Sequence, residues 1–447
     1  MGEWLWLNLK KELEIIRQVK DTLTAQTTIK KYRVNEPDWT RERKLNFSRV
    51  AALILSGHKL SQQTAVNRLF QELGEVEAVA TSSAYSQARQ KLKPELFCDL
   101  NAMIVGSFYR LYDETHGLKL WRGRRLVGVD GSYLNLPDTE ELRERYSVQV
   151  NKDGERVQAL SSICYDLLND VALSAGMGRK QAEKNFLQST HLSALKAGDV
   201  VVMDRLYADY VVMAWLQGQG LDFVIRFPQG GFTEVVEFWQ SGEAECEVTL
   251  TRPDSEGVRR ARREYQLPAS LKIRLIRVEL EDGEIEVLGT SLLDQARYPL
   301  AEFKQVYGYR WNEETWLRRL KSIFEIERFS GTSSLAIEQD FYGMIFLASL
   351  ESILSKSDEA ELQRQAEQQQ RKYTAQVNHA VSYLALVDHT VSLLLDEEHS
   401  IERTLEDLHR LFRTAPTPIR PGRKFPRDQT TKADSLYYQR YKKKLLA

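Results

Sequence analysis

The spacing of apolar and polar residues divides the chain into regions of different periodicity. Residues 1 to about 115 carry apolar side chains at helical intervals, as in "LKKELEIIRQVKDTL". From Leu126 onward, short apolar runs such as "LVGV" and "VVVM" are bounded by turn residues, which is typical of buried strands. The pattern predicts a helical N-terminal region followed by an α/β domain.

The second region alternates strands with two helical segments. Three strands, "LVGVDGSYLNLPD", "VQALSSICYDLLND" and "VALSAGMG", precede a helix, and "DVVVMD" and "LDFVIRF" flank another. This order predicts one mixed sheet. After it, "FTEVVEFW", "ECEVTL", "REYQL", "LKIRLIRVEL" and "EIEVLGT" predict a β-rich insertion without a long helix.

These patterns predict five consecutive regions. They are a helical N-terminal DNA-binding region (1–120), the first part of the α/β core (121–228), a β-rich insertion (229–292), a helix that completes the core (293–350), and a C-terminal helical region with a basic tail (351–447). In the first region, "LSQQTAVNRLFQEL" and "TSSAYSQARQKL" predict two short helices joined by a turn, with Arg89 on the second. The pair fits a helix-turn-helix DNA reader, and a plain helical bundle explains it equally well.

The charge of the chain is balanced overall but not locally. It has 62 Lys and Arg against 63 Asp and Glu, a net charge of −1, which by itself argues against a nucleic-acid binder. Between Arg410 and Lys444, however, there are eleven Lys and Arg residues and only two acidic residues. Affinity for polyanions depends on this local density of cations. Arg423, Lys424 and Arg427 are therefore candidate DNA contacts, although a solvated basic tail is an equal alternative.

Two further features of the composition bear on location. No apolar run approaches the ~20 residues of a membrane-spanning helix. The three cysteines are scattered along the chain and odd in number. We therefore expect a cytoplasmic protein without a zinc site.

The segment "YGYRWNEETWLRRLK", residues 307–321, combines aromatic, acidic and basic residues at helical spacing. At 100° per residue, Tyr307, Arg310, Glu314 and Lys321 share a sector about 60° wide. A surface helix with ion pairs is a sufficient explanation for this segment alone.

Two aspartates strengthen the functional interpretation of this helix. Asp130 lies within an apolar strand, where an unpaired carboxylate is costly, and Asp204 ends another. A single aspartate at a strand end is usually a cap or turn residue. Together with Glu314, the two suggest three converging carboxylates, which are suitable ligands for Mg²⁺ or Mn²⁺. Two such ions can promote cleavage of a phosphodiester.

The order of these segments resembles that of the bacterial insertion-sequence DDE transposases of family four. The spacing Y-x2-R-x3-E-x6-K is similar to their YREK signature. "GVDGSYLNLPD" and "VVVMDRLYADY" resemble their first and second aspartate blocks, and the likeness extends from about residue 45 to 345.

This resemblance implies an RNase-H-like catalytic domain in which Asp130, Asp204 and Glu314 hold two Mg²⁺ or Mn²⁺ ions. It also implies that Tyr307, Arg310 and Lys321 contact DNA near the transposon end. The expected activity is binding of terminal inverted repeats, cleavage at the ends and joining of the 3′ ends to target DNA by a homodimer. The alternatives are a catalytically silent DNA-binding derivative and another RNase-H-like nuclease.

Overall fold

The computed structural model describes residues 3–41, 43–57, 60–151, 154–179, 184–280, 283–396 and 398–420. The helices are α1 (Glu3–Thr24), α2 (Gln26–Tyr32), α3 (Phe47–Gly57), α4 (Gln62–Glu72), α5 (Ser82–Arg89), α6 (Glu95–Leu111), α7 (Glu140–Arg145), α8 (Lys184–Phe186), α9 (Tyr210–Gly218), α10 (Thr233–Ser241), α11 (Glu256–Glu264), α12 (Leu300–Gly308), α13 (Arg310–Ser322), α14 (Ser334–Gln368), α15 (His379–Leu395) and α16 (Glu398–Phe412). Within these ranges, no helix combines the length and the apolar character needed to cross a membrane.

A large mixed sheet forms the centre of the molecule. Its strands are β1 (Leu126–Asn135), β2 (Ser147–Asn151), β3 (Gly154–Asp166), β4 (Val171–Gly178), β5 (Val200–Met203), β6 (Asp222–Phe227), β7 (Glu245–Thr251), β8 (Ser270–Glu279) and β9 (Ile285–Thr290). Two short strands, β10 (Ala375–Gln376) and β11 (Thr417–Pro418), pair separately.

The sheet has the strand order β2-β3-β1-β5-β6-β9-β8-β7, with β4 beside β3. Strands β1, β5 and β6 are parallel, whereas β3 runs antiparallel to both β1 and β4. The five strands β4-β3-β1-β5-β6 therefore form an RNase-H-like core, which confirms the predicted fold class. The strands at the centre of this core are apolar because neighbouring elements cover both faces.

The predicted β-rich insertion is only partly correct. Strands β7, β8 and β9 form as expected, but they continue the central sheet through the antiparallel pairing of β9 with β6. "FTEVVEFW" forms α10 because Val235 and Phe238, three residues apart, are buried on one helical face. "REYQL" is not a strand either, since its first two residues end α11.

The N-terminal and C-terminal helices pack against each other. The Arg89 guanidinium on α5 lies 2.7 Å from the Asp340 carboxylate on α14. His409 on α16 bridges the carboxylates of Glu12 on α1 and Asp358 on α14, each at 2.7 Å. These buried charged contacts join parts of the sequence that the pattern of residues assigns to separate regions.

Candidate active site

Asp130 and Asp204 lie on neighbouring parallel strands. Strand β1 pairs with β5 in a register that sets Gly128 opposite Val202. Continuing this register by two residues brings Asp130 level with Asp204, which directly follows β5. Both aspartates thus lie where the carboxyl end of β5 meets β1, a common position for ligand sites in parallel sheets.

Local hydrogen bonds hold both aspartates. The Asp130 carboxylate accepts a 2.8 Å hydrogen bond from the backbone N–H of Gly131. The Asp204 carboxylate accepts one of 2.8 Å from the N–H of Leu206, so it caps the short 3₁₀ turn Arg205–Tyr207. One oxygen of each carboxylate is therefore engaged by the chain.

The predicted single helix from Tyr307 to Lys321 is divided into α12 and α13. Tyr309 lies at the joint with φ −63° and ψ −20°, so the helical direction continues. The N–H of Asn312 bonds to the carbonyl of Tyr309 at 2.9 Å, a tighter turn than that of an α-helix. Gly308 ends α12 and has low helix propensity, which is consistent with an irregularity here.

Arg310 and Glu314 form an ion pair at the start of α13. The guanidinium Nη1 donates to Glu314 Oε1 at 2.8 Å, and Arg310 is only 8% exposed. The guanidinium also lies 4.6 Å from the centre of the Trp311 ring, within cation–π range. Although burial lowers it, the pKa of Arg310 is raised by Tyr307, Glu314 and Asp130, so the arginine is a fixed positive charge between the acids.

The electrostatic field at Asp130 links all four groups. The pKa of Asp130 is raised to about 6, chiefly by burial, and the hydrogen bond from Gly131 opposes this rise. The negative charges of Asp204 and Glu314 raise the pKa further, whereas Arg310 lowers it. Asp204 and Glu314 are thus each near enough to Asp130 to influence its charge.

Tyr307 and Lys321 are turned toward the protein. Tyr307 is buried, burial raises its pKa, and its hydroxyl has no hydrogen-bond partner among the described residues. The Lys321 ammonium donates to the carbonyl of Tyr133 on β1 at 2.7 Å. Burial lowers the pKa of Lys321, and the charge of Glu327 raises it. Lys321 therefore lies against β1, whereas the charges that act on Tyr307 are those of Arg310, Glu286 on β9 and Arg226 on β6.

The carboxylates have the chemistry of a divalent-metal site without its geometry. Across the described ranges, no three His, Cys, Asp or Glu side chains are close enough together to share an ion. Glu314 is held by Arg310, and Asp204 by the N–H of Leu206. Carboxylates without a cation between them repel. Their oxygen donors, and the penalty that burial places on the charge of Asp130, nevertheless suit Mg²⁺ or Mn²⁺.

A fourth carboxyl group, that of Glu313, lies directly beside this site. Glu313 is 1% exposed and faces β1, where a β-carbon added to Gly128 would be 2.2 Å from Oε2. Burial raises its pKa well above the ordinary value, Asp130 and Glu314 raise it further, and Arg310 lowers it. The burial of Glu313 could have been predicted from the sequence, because on a helical wheel it lies beside Trp316 and Leu320 in the apolar sector.

The predicted DNA contact of Arg89 is wrong in this conformation. Arg89 is 4% exposed, and its guanidinium donates to Gln339 Oε1, Ser330 Oγ and Asp340 Oδ1 at 2.5–2.7 Å. A side chain so enclosed cannot reach a phosphate without unfolding its surroundings. The candidate contacts Arg423, Lys424 and Arg427 lie outside the described residues.

Helix α11 carries a basic surface that the sequence analysis overlooked. Four of its nine residues are exposed arginines, Arg259, Arg260, Arg262 and Arg263. Of these, Arg259 pairs with Asp254 at 2.9 Å. The other three have no ion pair among the residues that the structure describes. The run "VRRARRE" indicates a basic segment in the sequence. The strand predicted for "REYQL" overlaps this run, so the basic helix was not predicted.

Helix α11 packs beside α9, the helix that follows β5. Directly after its last residue, the hydroxyl of Tyr265 donates to the side chain of Gln188 at 2.9 Å. Tyr210, the first residue of α9, donates its hydroxyl to the carbonyl of Pro268 at 2.9 Å. These contacts hold the arginine-rich segment beside the start of α9, which begins six residues after Asp204.

Comparison with known proteins gives this arrangement a family. The sequence family described as "Transposase DDE domain" matches residues 121–350, slightly more than half of the 447 residues. This chain belongs to the transposase DDE domain family. The matched range includes β1, β5, α12 and α13, and therefore every acidic group of the candidate site.

The transposase domain also has a named bacterial relative. The chain is 25% identical over 293 residues to transposase InsG for insertion sequence element IS4 of Escherichia coli K12. That alignment covers 64% of this chain and 63% of the relative, so the chain spans less than two thirds of that protein.

The chain also aligns with a solved transposase structure. The cryo-EM structure of a piggyBac transposase synaptic complex with hairpin DNA aligns with 96% of this chain and 88% of that chain at 11% identity. The TM-score of this alignment is 0.41.

Proposed function

We propose that this protein is a metal-dependent DNA transposase of a bacterial insertion sequence. It binds the terminal inverted repeats, cleaves at the transposon ends and joins the freed 3′ ends to target DNA. Asp130, Asp204 and Glu314 are its metal ligands, and a homodimer brings two ends together. Membership of the transposase DDE domain family, which generally uses divalent metal ions, supports this proposal.

The observation that carries the proposal is the in-register position of two aspartates beside a glutamate-bearing helix. The parallel pairing of β1 with β5 sets Asp130 level with Asp204, and Glu314 influences the charge of Asp130 from α13. Bound divalent ions would activate a water or a 3′-hydroxyl and stabilise the leaving oxygen. Arg310 carries a fixed positive charge that can balance a phosphate once Glu314 turns toward an ion.

We propose that DNA reaches this site over the arginines of α11. Arg260, Arg262 and Arg263 are exposed, and guanidinium groups bind phosphate oxygens with two parallel hydrogen bonds. The exposed amides Gln87 and Gln90, on and just after α5, are candidate base readers. The basic tail adds charge-dependent affinity that does not depend on sequence.

Catalysis is tested by Asp204→Asn, with Asp209→Asn as the matched control. The amide oxygen of the introduced asparagine retains an acceptor for the N–H of Leu206, but the side chain lacks the charge of Asp204. Asp209 caps α9 in the same way, and asparagine is an equally good cap. With DNA that carries the repeats flanking its own gene, D204N should bind the ends but lose Mg²⁺-dependent cleavage, whereas D209N should cleave normally.

The outcomes of this assay separate the alternatives. Cleavage by D204N at the wild-type rate would refute the proposed metal site. End binding without any cleavage by the wild-type protein, in either Mg²⁺ or Mn²⁺, would indicate a catalytically silent DNA-binding derivative. Cleavage without joining of the 3′ ends would indicate another RNase-H-like nuclease. Light scattering of the protein–DNA complex would show whether two copies assemble on paired ends.

The path of DNA is tested by replacing Arg260, Arg262 and Arg263 together with glutamine. If each contacts a phosphate, the slope of log affinity against log salt should fall by about 3, since each contact contributes about 0.9 for duplex DNA. The control is the same replacement of three exposed cations at and after the end of α14, namely Arg364, Arg371 and Lys372. Equal slopes for the two triple variants would place the DNA away from α11.

A further inference from the structure

Glu313 is a buried carboxyl group that the three-acid site does not use. It is 1% exposed, and Oε1 has no hydrogen-bond partner among the described residues. Its other oxygen, Oε2, occupies the space that a side chain on Gly128 would need. The backbone of Asp130 is close enough to this carboxyl group to oppose the rise of its pKa.

The position of Glu313 on α13 is otherwise an apolar one. Glu313, Trp316 and Leu320 are buried and follow the i, i+3, i+7 spacing of a helix face that packs on a sheet. A leucine at position 313 would suit this face, whereas a carboxyl group without a full set of partners there costs free energy of folding. A residue that lowers stability at a position suited to apolar side chains is expected to serve function.

Gly128 explains how the carboxyl group reaches the backbone of β1. Gly128 and Asp130 are two residues apart and therefore lie on the same face of the strand. Because Gly128 has no side chain, Glu313 can approach the strand beside the peptide that carries Asp130. Glu313 thus contacts β1 next to the backbone that sets the direction of the Asp130 carboxylate.

We infer that Glu313 is a positioning residue, whose carboxyl group holds the β1 backbone at Asp130 and so directs the Asp130 carboxylate toward the metal site. This inference rests on the proposed function. Residues that orient metal ligands change metal affinity by about 10- to 100-fold when they are replaced. Glu313 acts through Asp130, so replacing it changes metal affinity more than it changes the fold.

The test compares Glu313→Leu with Glu313→Gln in the full chain. Leucine matches the apolar face but has no oxygen, whereas glutamine retains a side-chain oxygen that can lie against the backbone of β1. The affinity for Tb³⁺, an oxygen-seeking probe ion, is followed by luminescence sensitised through Trp311 and Trp316, and stability is followed by urea unfolding. Leu320→Ala is the control for a purely structural defect in the same helix.

We expect E313L to be at least as stable as the wild type and to bind Tb³⁺ about 10- to 100-fold more weakly. E313Q should retain wild-type affinity to within about threefold. L320A should lose stability while its folded fraction still binds the ion. Unchanged Tb³⁺ affinity in E313L would overturn the inference, as would losses of stability and affinity in E313L that match those of L320A.

Failure of the proposed function has a different signature. If D204N binds Tb³⁺ as tightly as the wild type, the ion does not occupy the proposed site and the transposase chemistry is refuted. If D204N weakens binding and E313L does not, the site stands and only the positioning role of Glu313 is excluded.

Discussion

Replacing Arg89 with methionine distinguishes a structural role from DNA contact. In the structure its guanidinium donates four hydrogen bonds of 2.5–2.8 Å, to Gln339 Oε1, Ser330 Oγ, the carbonyl of Ala336 and Asp340 Oδ1. Methionine retains much of the length of the side chain and loses all four. The perturbation therefore removes the cation that joins α5 to α14 with little change in packing volume.

The expected cost follows from what Arg89 leaves behind. Asp340 is 1% exposed and retains a 2.6 Å hydrogen bond from the N–H of Ser330, but its charge loses the guanidinium. Breaking a buried ion pair from one side costs about 3–5 kcal/mol, a large part of the ~5–15 kcal/mol of a typical domain. The double variant R89M/D340N leaves no buried charge and should recover more than half of that loss.

Urea unfolding monitored by tryptophan fluorescence measures these free energies. DNA affinity is then measured at a temperature where each variant is folded. We expect R89M to be strongly destabilised and, once folded, to keep the wild-type slope of affinity against salt. Wild-type stability together with a slope reduced by about 1 would refute the structural role and restore Arg89 as a phosphate contact.

Three further predictions concern Gly128, His409 and the basic tail. Gly128→Ala should cost about 1–3 kcal/mol because its β-carbon would overlap Glu313, and adding Glu313→Ser should recover part of that loss in a double-mutant cycle of unfolding free energies. Although burial lowers it, Glu12 and Asp358 raise the pKa of His409 to about 10. The stabilisation from His409 is therefore complete below its unfolded pKa of about 6.5 and is lost as the pH rises toward 10. Melting temperature should fall across that interval, and His409→Gln should flatten the profile. Deleting residues 421–447 should weaken DNA binding most at low salt without changing the melting temperature; a lowered melting temperature would give the tail a role in folding.

The sequence predicts those parts of the fold that depend on local pattern. Ser61 and Thr81 cap α4 and α5, and such caps are readable from the sequence because they involve only residues within one turn. Asn169 and Asp170, residue types that favour turns, lie in the turn between β3 and β4, with Asp170 at a φ of 58°. Such features follow from neighbouring residues and survive in the folded chain.

Features that depend on distant partners were not predictable in the same way. In the sequence, Arg89 resembles a DNA contact. In the structure it is enclosed by partners such as Asp340, which lies 251 residues away. A helical wheel shows that Tyr307 and Lys321 share a side of the helix, but not that Tyr307 is buried or that Lys321 bonds to β1. Glu313 was overlooked because acidic residues are expected to face solvent, whereas Gly128 leaves an opening in the sheet surface.

The bridge from Glu12 through His409 to Asp358 affects the order in which the chain matures on the ribosome. The two ends of the Glu12–His409 contact are separated by 397 residues. Helix α1 therefore cannot complete its packing until almost the whole polypeptide has been synthesised. Prematurely terminated products that lack α16 would leave Glu12 and Asp358 without their shared cation, so they should be preferred targets of proteases.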